Sequence, residues 1–159
     1  NNRNFIDNID TTKEKVIIEN GVFKTFLHNL KTAKKDNVEP TGNAYGTSIA
    51  PINLYVEPGE KNFEELLETL DNGIVIIEVE GMHSGANPIS GNFSLGAKGL
   101  KVENGKIVHG VEQITISGNF LEIMHKIEEV GNDLRGFIGM NGMIVPSVLI
   151  SELDIAGNA

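Results

Sequence analysis

Cysteine is missing from all 159 residues. That excludes disulfides, thiolate metal sites and a cysteine nucleophile within the chain, and it fits a reducing cytoplasm, the expected location. Basic residues are scarce, 13 against 22 acidic ones, for a formal net charge of −9. A chain this acidic repels phosphate backbones, so no direct nucleic-acid contact is expected. Apolar runs extend only a few residues, far short of a membrane span, and no signal-peptide pattern opens the chain. The first residue is Asn1 rather than Met, and the opening NNRNFIDNID lacks a strong apolar period. The chain is therefore expected to be a piece of a longer protein, one C-terminal domain over residues 1–159 with an N-terminal region absent.

What is present is a hairpin-rich pattern. VIIENGVFKTFL places Asn20-Gly21 between β-rich runs, predicting strands at about 14–19 and 22–28, because both central residues of a type I′ turn need positive φ. LKVENGKIVHGV echoes it and predicts a second hairpin over 100–111. Residues 29–52 are turn-rich, with a short helical turn expected at Thr32–Lys35 and a loop over Pro40–Gly46. A strand is expected at Ile52–Val56, a buried one at Ile74–Val79, and two more over Ile144–Ile150 and Leu153–Ala156. Asn62 with Glu65 forms a capping-box signature, and Phe63, Leu66, Leu67 and Leu70 share a helical face, predicting an amphipathic helix over 62–72. A second is predicted over 119–130, capped by Asn119, with Phe120, Ile123, Met124 and Ile127 as its apolar face. The fold class is thus α+β: a strand-dominated mixed or antiparallel sheet, or barrel-like domain, with two amphipathic helices.

No self-contained catalytic set emerges. Neither HExxH nor HExxxH is present, no two histidines lie at i, i+4, and no serine sits in G-x-S-x-G. His125 and Glu128 at i, i+3 suit a metal pair, but a solvated helix face explains them more simply beside Lys126 and Glu129. His83 lies in the glycine-rich GMHSGAN, yet one imidazole without a second ligand or carboxylate defines no site. Gly91–Gly96 is no phosphate loop, since no Lys-Ser/Thr and no helix follow. Gly118-Asn119 and Gly131-Asn132 read as helix caps, whereas Gly42-Asn43 and Gly91-Asn92 remain candidates for close backbone approach to a peptide or another domain.

The series IIENGVFKTFLHNLKTAKK, TGNA, NLYVEPG, NPISGNFSLGAKGLKVENGKI, ITISGNF, VGND, PSVLI and LDIAG, in this order and spacing, resembles the C-terminal region of the TldD/PmbA family, the so-called modulators of DNA gyrase. The likeness runs from about Phe5 to Ala159 and is nearer the PmbA (TldE) branch. The resemblance implies a metalloprotease system acting on peptides, with subunits joined as TldD–TldE complexes or homo-oligomers. It also implies that zinc belongs to the TldD branch, on an HExxxH motif with a C-terminal cysteine. Neither is found in this chain, and Gly136–Met143, where the cysteine would fall, reads GFIGMNGM. No cofactor is therefore expected in this chain, and zinc only in a catalytic partner or in the absent region.

The expectation is a non-catalytic, cleft- or interface-forming domain of a PmbA/TldE-like subunit, partnered by a TldD-like subunit or by itself. Its expected peptide or interface contacts are Asn43, Tyr45, His83, Asn87, Asn92 and Phe93, with no catalytic and no metal-binding residue. The alternative is a structural dimerisation domain without peptide contact.

Overall fold

The structure, a computed structural model, describes residues 13–51, 53–137 and 143–157. Strands dominate, and helices are few and short, so the class is α+β. The chain divides into two compact units. One comprises residues up to Val56 together with Gly136–Ile144, and the other Glu57–Arg135 with Val145–Ala159.

In the first unit, β1 (Ile18–Glu19) and β2 (Val22–Phe23) form a minimal antiparallel hairpin around Asn20-Gly21, both residues at positive φ. The turn is where the sequence puts it, but only two residue pairs form, fewer than the expected strands. Helix α1 (Leu30–Asp36) is longer than the expected turn. Asn29 and Thr32 close a reciprocal capping box, and Asn37 ends the helix in the left-handed conformation. A second small hairpin joins β3 (Ala44–Tyr45) and β4 (Ser48–Ile49). The strand expected over Ile52–Val56 is reduced to a parallel bridge of Tyr55 with Ile144, flanked by Val56 N donating to Ile144 O; Ile52 lies outside the described residues.

The second unit opens with α2 (Phe63–Leu70), whose Asn62–Glu65 capping box forms as its sequence dictates. Leu66 and Leu67 are its buried residues. Strand β5 (Gly73–Glu80) follows, then a short turn of helix, α3 (Met82–Gly85), and the long hairpin of β6 (Asn92–Glu103) and β7 (Lys106–Asn119). Asn104-Gly105 makes its turn at positive φ, and the paired strands run well past the expected 100–111. The sheet order is β12-β7-β6-β5, all antiparallel, where β12 is Asp154–Ala156. Among the described residues this sheet is open, so the antiparallel arrangement holds and barrel closure does not occur. Leu95, Ala97, Val111, Ile114 and Ile116 form its buried core, with Ile74, Ile76, Ala86, Phe93 and Leu153 packed against them.

The helix expected over 119–130 is cut short. It spans only Phe120–His125 (α4), and Ile127–Val130 becomes β8. The reason is tertiary: β8 pairs with β11 (Val148–Ile150), burying Leu149, and Ser151 N donates to Lys126 O where the helix stops. A non-local ladder of β-branched residues overrides the local helical period. The run Ile144–Ile150 is likewise split. Between β8 and β11 lie β9 (Arg135–Phe137) and β10 (Met143–Val145), which pair with each other, and Pro146-Ser147 separates β10 from β11.

A candidate contact groove between Ser84 and Ser94

The glycine-rich stretch that contains GMHSGAN folds into a short helical turn and a tight turn before β6. Gly81, at φ +81, starts α3, and Gly85 N donates back to Gly81 O at 2.8 Å. A side chain at Gly85 would collide with the backbone carbonyl of Ser94, so only glycine lets α3 lie this close to β6. Ala86 then bridges Phe93, and Asn87 N donates to Asn92 O at 2.8 Å. The side chain of Asn87 closes the turn: its Oδ1 accepts from Ile89 N at 2.9 Å and Ser90 N at 3.1 Å.

Asn119, the N-cap of α4, ties this turn to the sheet. Its Oδ1 accepts from Leu121 N, while its Nδ2 donates to Ser90 O at 2.9 Å and to Asn92 Oδ1 at 2.7 Å. Phe120 N adds a bond to Gly91 O at 2.8 Å. Asn92 and Asn119 meet because they are register partners at the ends of β6 and β7. The sequence marks Asn119 only as a cap; its second role depends on that register, which no local signal carries.

These elements line an open concavity of about 640 Å³, bounded by Ser84, Gly85, Ala86, Asn87, Pro88 and Ile89 on one side and Asn92, Phe93 and Ser94 on the other. None of the lining side chains is charged. Asn87 Nδ2 and Asn92 Nδ2 have no protein partner among the described residues, and both residues line the groove with Phe93. Ile89 stands 96% exposed at its rim. Chemically this surface suits carbonyl-rich, uncharged chain. It holds no acid–base pair or nucleophile–base pair.

Three of the six expected contact residues, Asn87, Asn92 and Phe93, thus converge on one groove. His83 is exposed on α3 beside it but does not line it. Asn43 and Tyr45 belong to the other unit. Asn43 is only 3% exposed; its Nδ2 donates to Ala50 O and its Oδ1 accepts from Lys15 Nζ. It buttresses the β3–β4 hairpin, on which Tyr45 is 63% exposed.

Among the described residues, no three His, Asp or Glu side chains come together as a ligand set. His125 and Glu128 do not share a helix, because α4 ends between them. The described residues therefore bring together no ligand set for the zinc that the resemblance implies for the catalytic branch. Outside the groove, Lys98 on β6 lies 2.9 Å from Glu80 and 3.5 Å from Glu78 on β5. The hydrogen bond to Glu80, then the charge of Glu78, raises its pKa above the usual lysine value. Asp133 is the other perturbed group. Burial alone would raise its pKa, but hydrogen bonds from Ser147 N at 2.9 Å and Ser147 Oγ at 2.7 Å, with Arg135 at 3.2 Å, outweigh it and lower the value.

The sequence profile of the PmbA/TldA metallopeptidase C-terminal domain matches residues 8–157. The chain belongs to this family. It is 37% identical over 147 residues to a metalloprotease PmbA homolog of Buchnera aphidicola, covering 92% of this chain and 31% of that protein. It is 34% identical to the metalloprotease PmbA of Escherichia coli O157:H7, covering 92% and 30%. Among solved structures, a proposed modulator of a DNA gyrase from Thermotoga maritima superposes with a TM-score of 0.86 at 62% identity, covering 91% of this chain and 33% of that one. TldE from Thermococcus kodakarensis superposes at 0.80 with 28% identity, covering 92% and 34%. This PmbA/TldA domain therefore spans about a third of the length of the relatives it matches. No helix among its described residues is long and apolar enough to cross a membrane.

Proposed function

We propose that the chain is the C-terminal part of a PmbA/TldE-like subunit of a peptide-cleaving metalloprotease system. In this reading it shapes a peptide-contacting cleft and does not itself perform the cleavage. The observation that carries the reading is the uncharged groove in which Asn87, Asn92 and Phe93 converge with free amide donors. An extended peptide presents the carbonyl acceptors that such donors satisfy. The partner is a TldD-like subunit or a second copy, and the zinc resides in the catalytic partner or in the part of the protein outside this chain. Family membership and the lack of cysteine support that assignment. The lack of cysteine also supports a cytoplasmic location. The net charge of −9 supports the view that nucleic acid is not the direct ligand.

The test is double alanine replacement of Asn92 and Phe93 in the whole protein, assayed for peptide turnover with its catalytic partner. Loss of about tenfold or more, with assembly unchanged, is expected for contacts of this kind; unchanged turnover overturns the cleft assignment. Separately, stoichiometric zinc and peptide cleavage by the whole protein without any partner would overturn the non-catalytic assignment.

A second reading, a dimerisation domain without peptide contact, is favoured by Phe120 and Leu121, which are 57% and 64% exposed on α4. Replacing Leu121 with Asp separates the two. If the protein dissociates in light scattering while Asn92 and Phe93 variants keep full turnover, the second reading stands.

A further inference from the structure

Glu-Asn-Gly occurs twice, at Glu19-Asn20-Gly21 and Glu103-Asn104-Gly105, each time at the tip of a hairpin. An asparagine followed by glycine is chemically labile, because the unhindered glycine nitrogen can reach the asparagine side-chain carbonyl. In both turns the two central residues sit at positive φ: 49° and 74° for the first, 50° and 72° for the second. Each hairpin holds its turn in one conformation, so the reaction depends on local opening. The surroundings decide how often that happens.

The surroundings differ sharply. The first turn closes only two residue pairs, Glu19 with Val22 and Ile18 with Phe23. Asn20 and Gly21 are exposed, and among the described residues nothing lies near the position where a Gly21 side chain would be. Among the described residues, Lys24 N donating to Ile17 O and an exposed Lys24–Glu19 ion pair are the nearest additional ties. The second turn closes the longest hairpin among the described residues, and both of its residues are held from outside. Gly105 N, the atom that would attack, donates to Asp71 O at 2.8 Å, and Asn104 N donates to Asn72 Oδ1 at 3.3 Å. The backbone of Glu68 on α2 lies against Gly105. The Asn72-Gly73 pair is engaged as well: Asn72 Nδ2 donates to Asp71 Oδ2, and its Oδ1 is the acceptor for Asn104 N.

We propose that Asn20 is a site of spontaneous deamidation, and that the hydrogen bonds around Asn104 and Asn72 suppress the same reaction there. When the first hairpin opens, Gly21 N attacks Asn20 Cγ and forms a C–N bond. The Cγ–Nδ2 bond breaks, and ammonia leaves with the proton given up by Gly21 N. The resulting five-membered imide is opened by water at either carbonyl, yielding aspartate or isoaspartate. No oxidant or other co-reactant is needed. The product adds one negative charge to a chain already at −9. In its isoaspartyl form it also lengthens the backbone within the turn that holds Ile18 opposite Phe23. The change is one-way, and it falls on a ribbon whose Phe23 and Phe26 rings are exposed and in edge contact at 4.7 Å.

Trypsin separates the two sites, since cleavage after Lys15, Lys24, Lys101 and Lys106 gives peptides 16–24 and 102–106. The full chain is incubated folded at mildly alkaline pH in 18O-labelled water, and label incorporation into each peptide is followed by mass spectrometry. A denatured sample serves as reference. In the denatured chain the two sites should convert at comparable rates. In the folded chain, conversion at Asn20 should exceed that at Asn104 by about tenfold or more, the ratio set by the difference in local opening. Equal folded-state rates, or faster conversion at Asn104, overturn the proposal. A Gly21→Ala variant must slow conversion at Asn20 and leave Asn104 unchanged, whether or not the small hairpin persists. An unchanged Asn20 rate in that variant means that Gly21 N is not the attacking atom.

Discussion

Asp133 is held charged against its own desolvation. Ser147 donates to it twice and Arg135 lies at 3.2 Å, so its folded-state pKa falls below the unfolded value. The sign of the linkage follows: Asp133 contributes its full stability above the unfolded aspartate value of about 3.9 and loses it as pH falls through the lower folded pKa. Denaturant titrations between about pH 5 and 2 should therefore show a steeper loss in the native chain than in Asp133→Asn, which has no proton to gain there. At neutral pH, Asp133→Ala should cost about 1–3 kcal/mol, because it orphans the Ser147 donors. Gly85 acts through space alone. Gly85→Ala should push α3 off β6 and destabilise by about 1–3 kcal/mol in chemical denaturation, through overpacking against the Ser94 carbonyl.

At the scale of elements, α2 was legible at its start and along its apolar face, though it ends at Leu70 and not at the expected residue 72. Its cap, its glutamate and its leucine spacing are all local. Leu66→Ala should cost about 2–5 kcal/mol, measured by thermal or denaturant unfolding, since the side chain is 5% exposed. Helix α4 was legible only at its start. Asn119 caps it, but its end is set by β11, which lies some twenty residues away in sequence. Asn119→Ala removes the cap and both bonds to the Ser90–Asn92 turn. A loss of about 1–2 kcal/mol is expected, with faster amide exchange at Gly91 and Asn92. Unaltered exchange there would mean that the turn stands without the sheet. The contact candidates Asn87, Asn92 and Phe93 were recognisable as a glycine-flanked polar stretch. That they face one groove, while Asn43 is turned inward, follows from pairing and packing that no window of sequence contains.

At the scale of the whole chain, charge and apolar exposure oppose each other. Phe26 is 70% exposed, Leu121 64% and Ile89 96%, large apolar side chains that meet solvent. A net charge of −9 keeps copies of the chain apart at low ionic strength. Salt screens that repulsion while leaving apolar attraction in place. Expressed by itself, the chain should therefore associate as salt rises from about 0.01 M to 1 M, where the Debye length shrinks from about 30 Å to 3 Å. Light scattering would check this, and a mass that stays constant across that range would contradict it.

The sequence by itself determined the features written in neighbouring residues: the Asn-Gly turns, the capping box of α2 and its apolar face, the α+β class and the family. These depend on φ preferences, side chains reaching their own backbone, and a period that one element carries alone. Only the tertiary structure decided how far each ladder runs, where α4 yields to β8, and that the main sheet stays open. It also decided which of two identical Glu-Asn-Gly turns is clamped. Those outcomes are pairings between distant segments, settled when one strand finds another and the backbone hydrogen bonds of both are satisfied together.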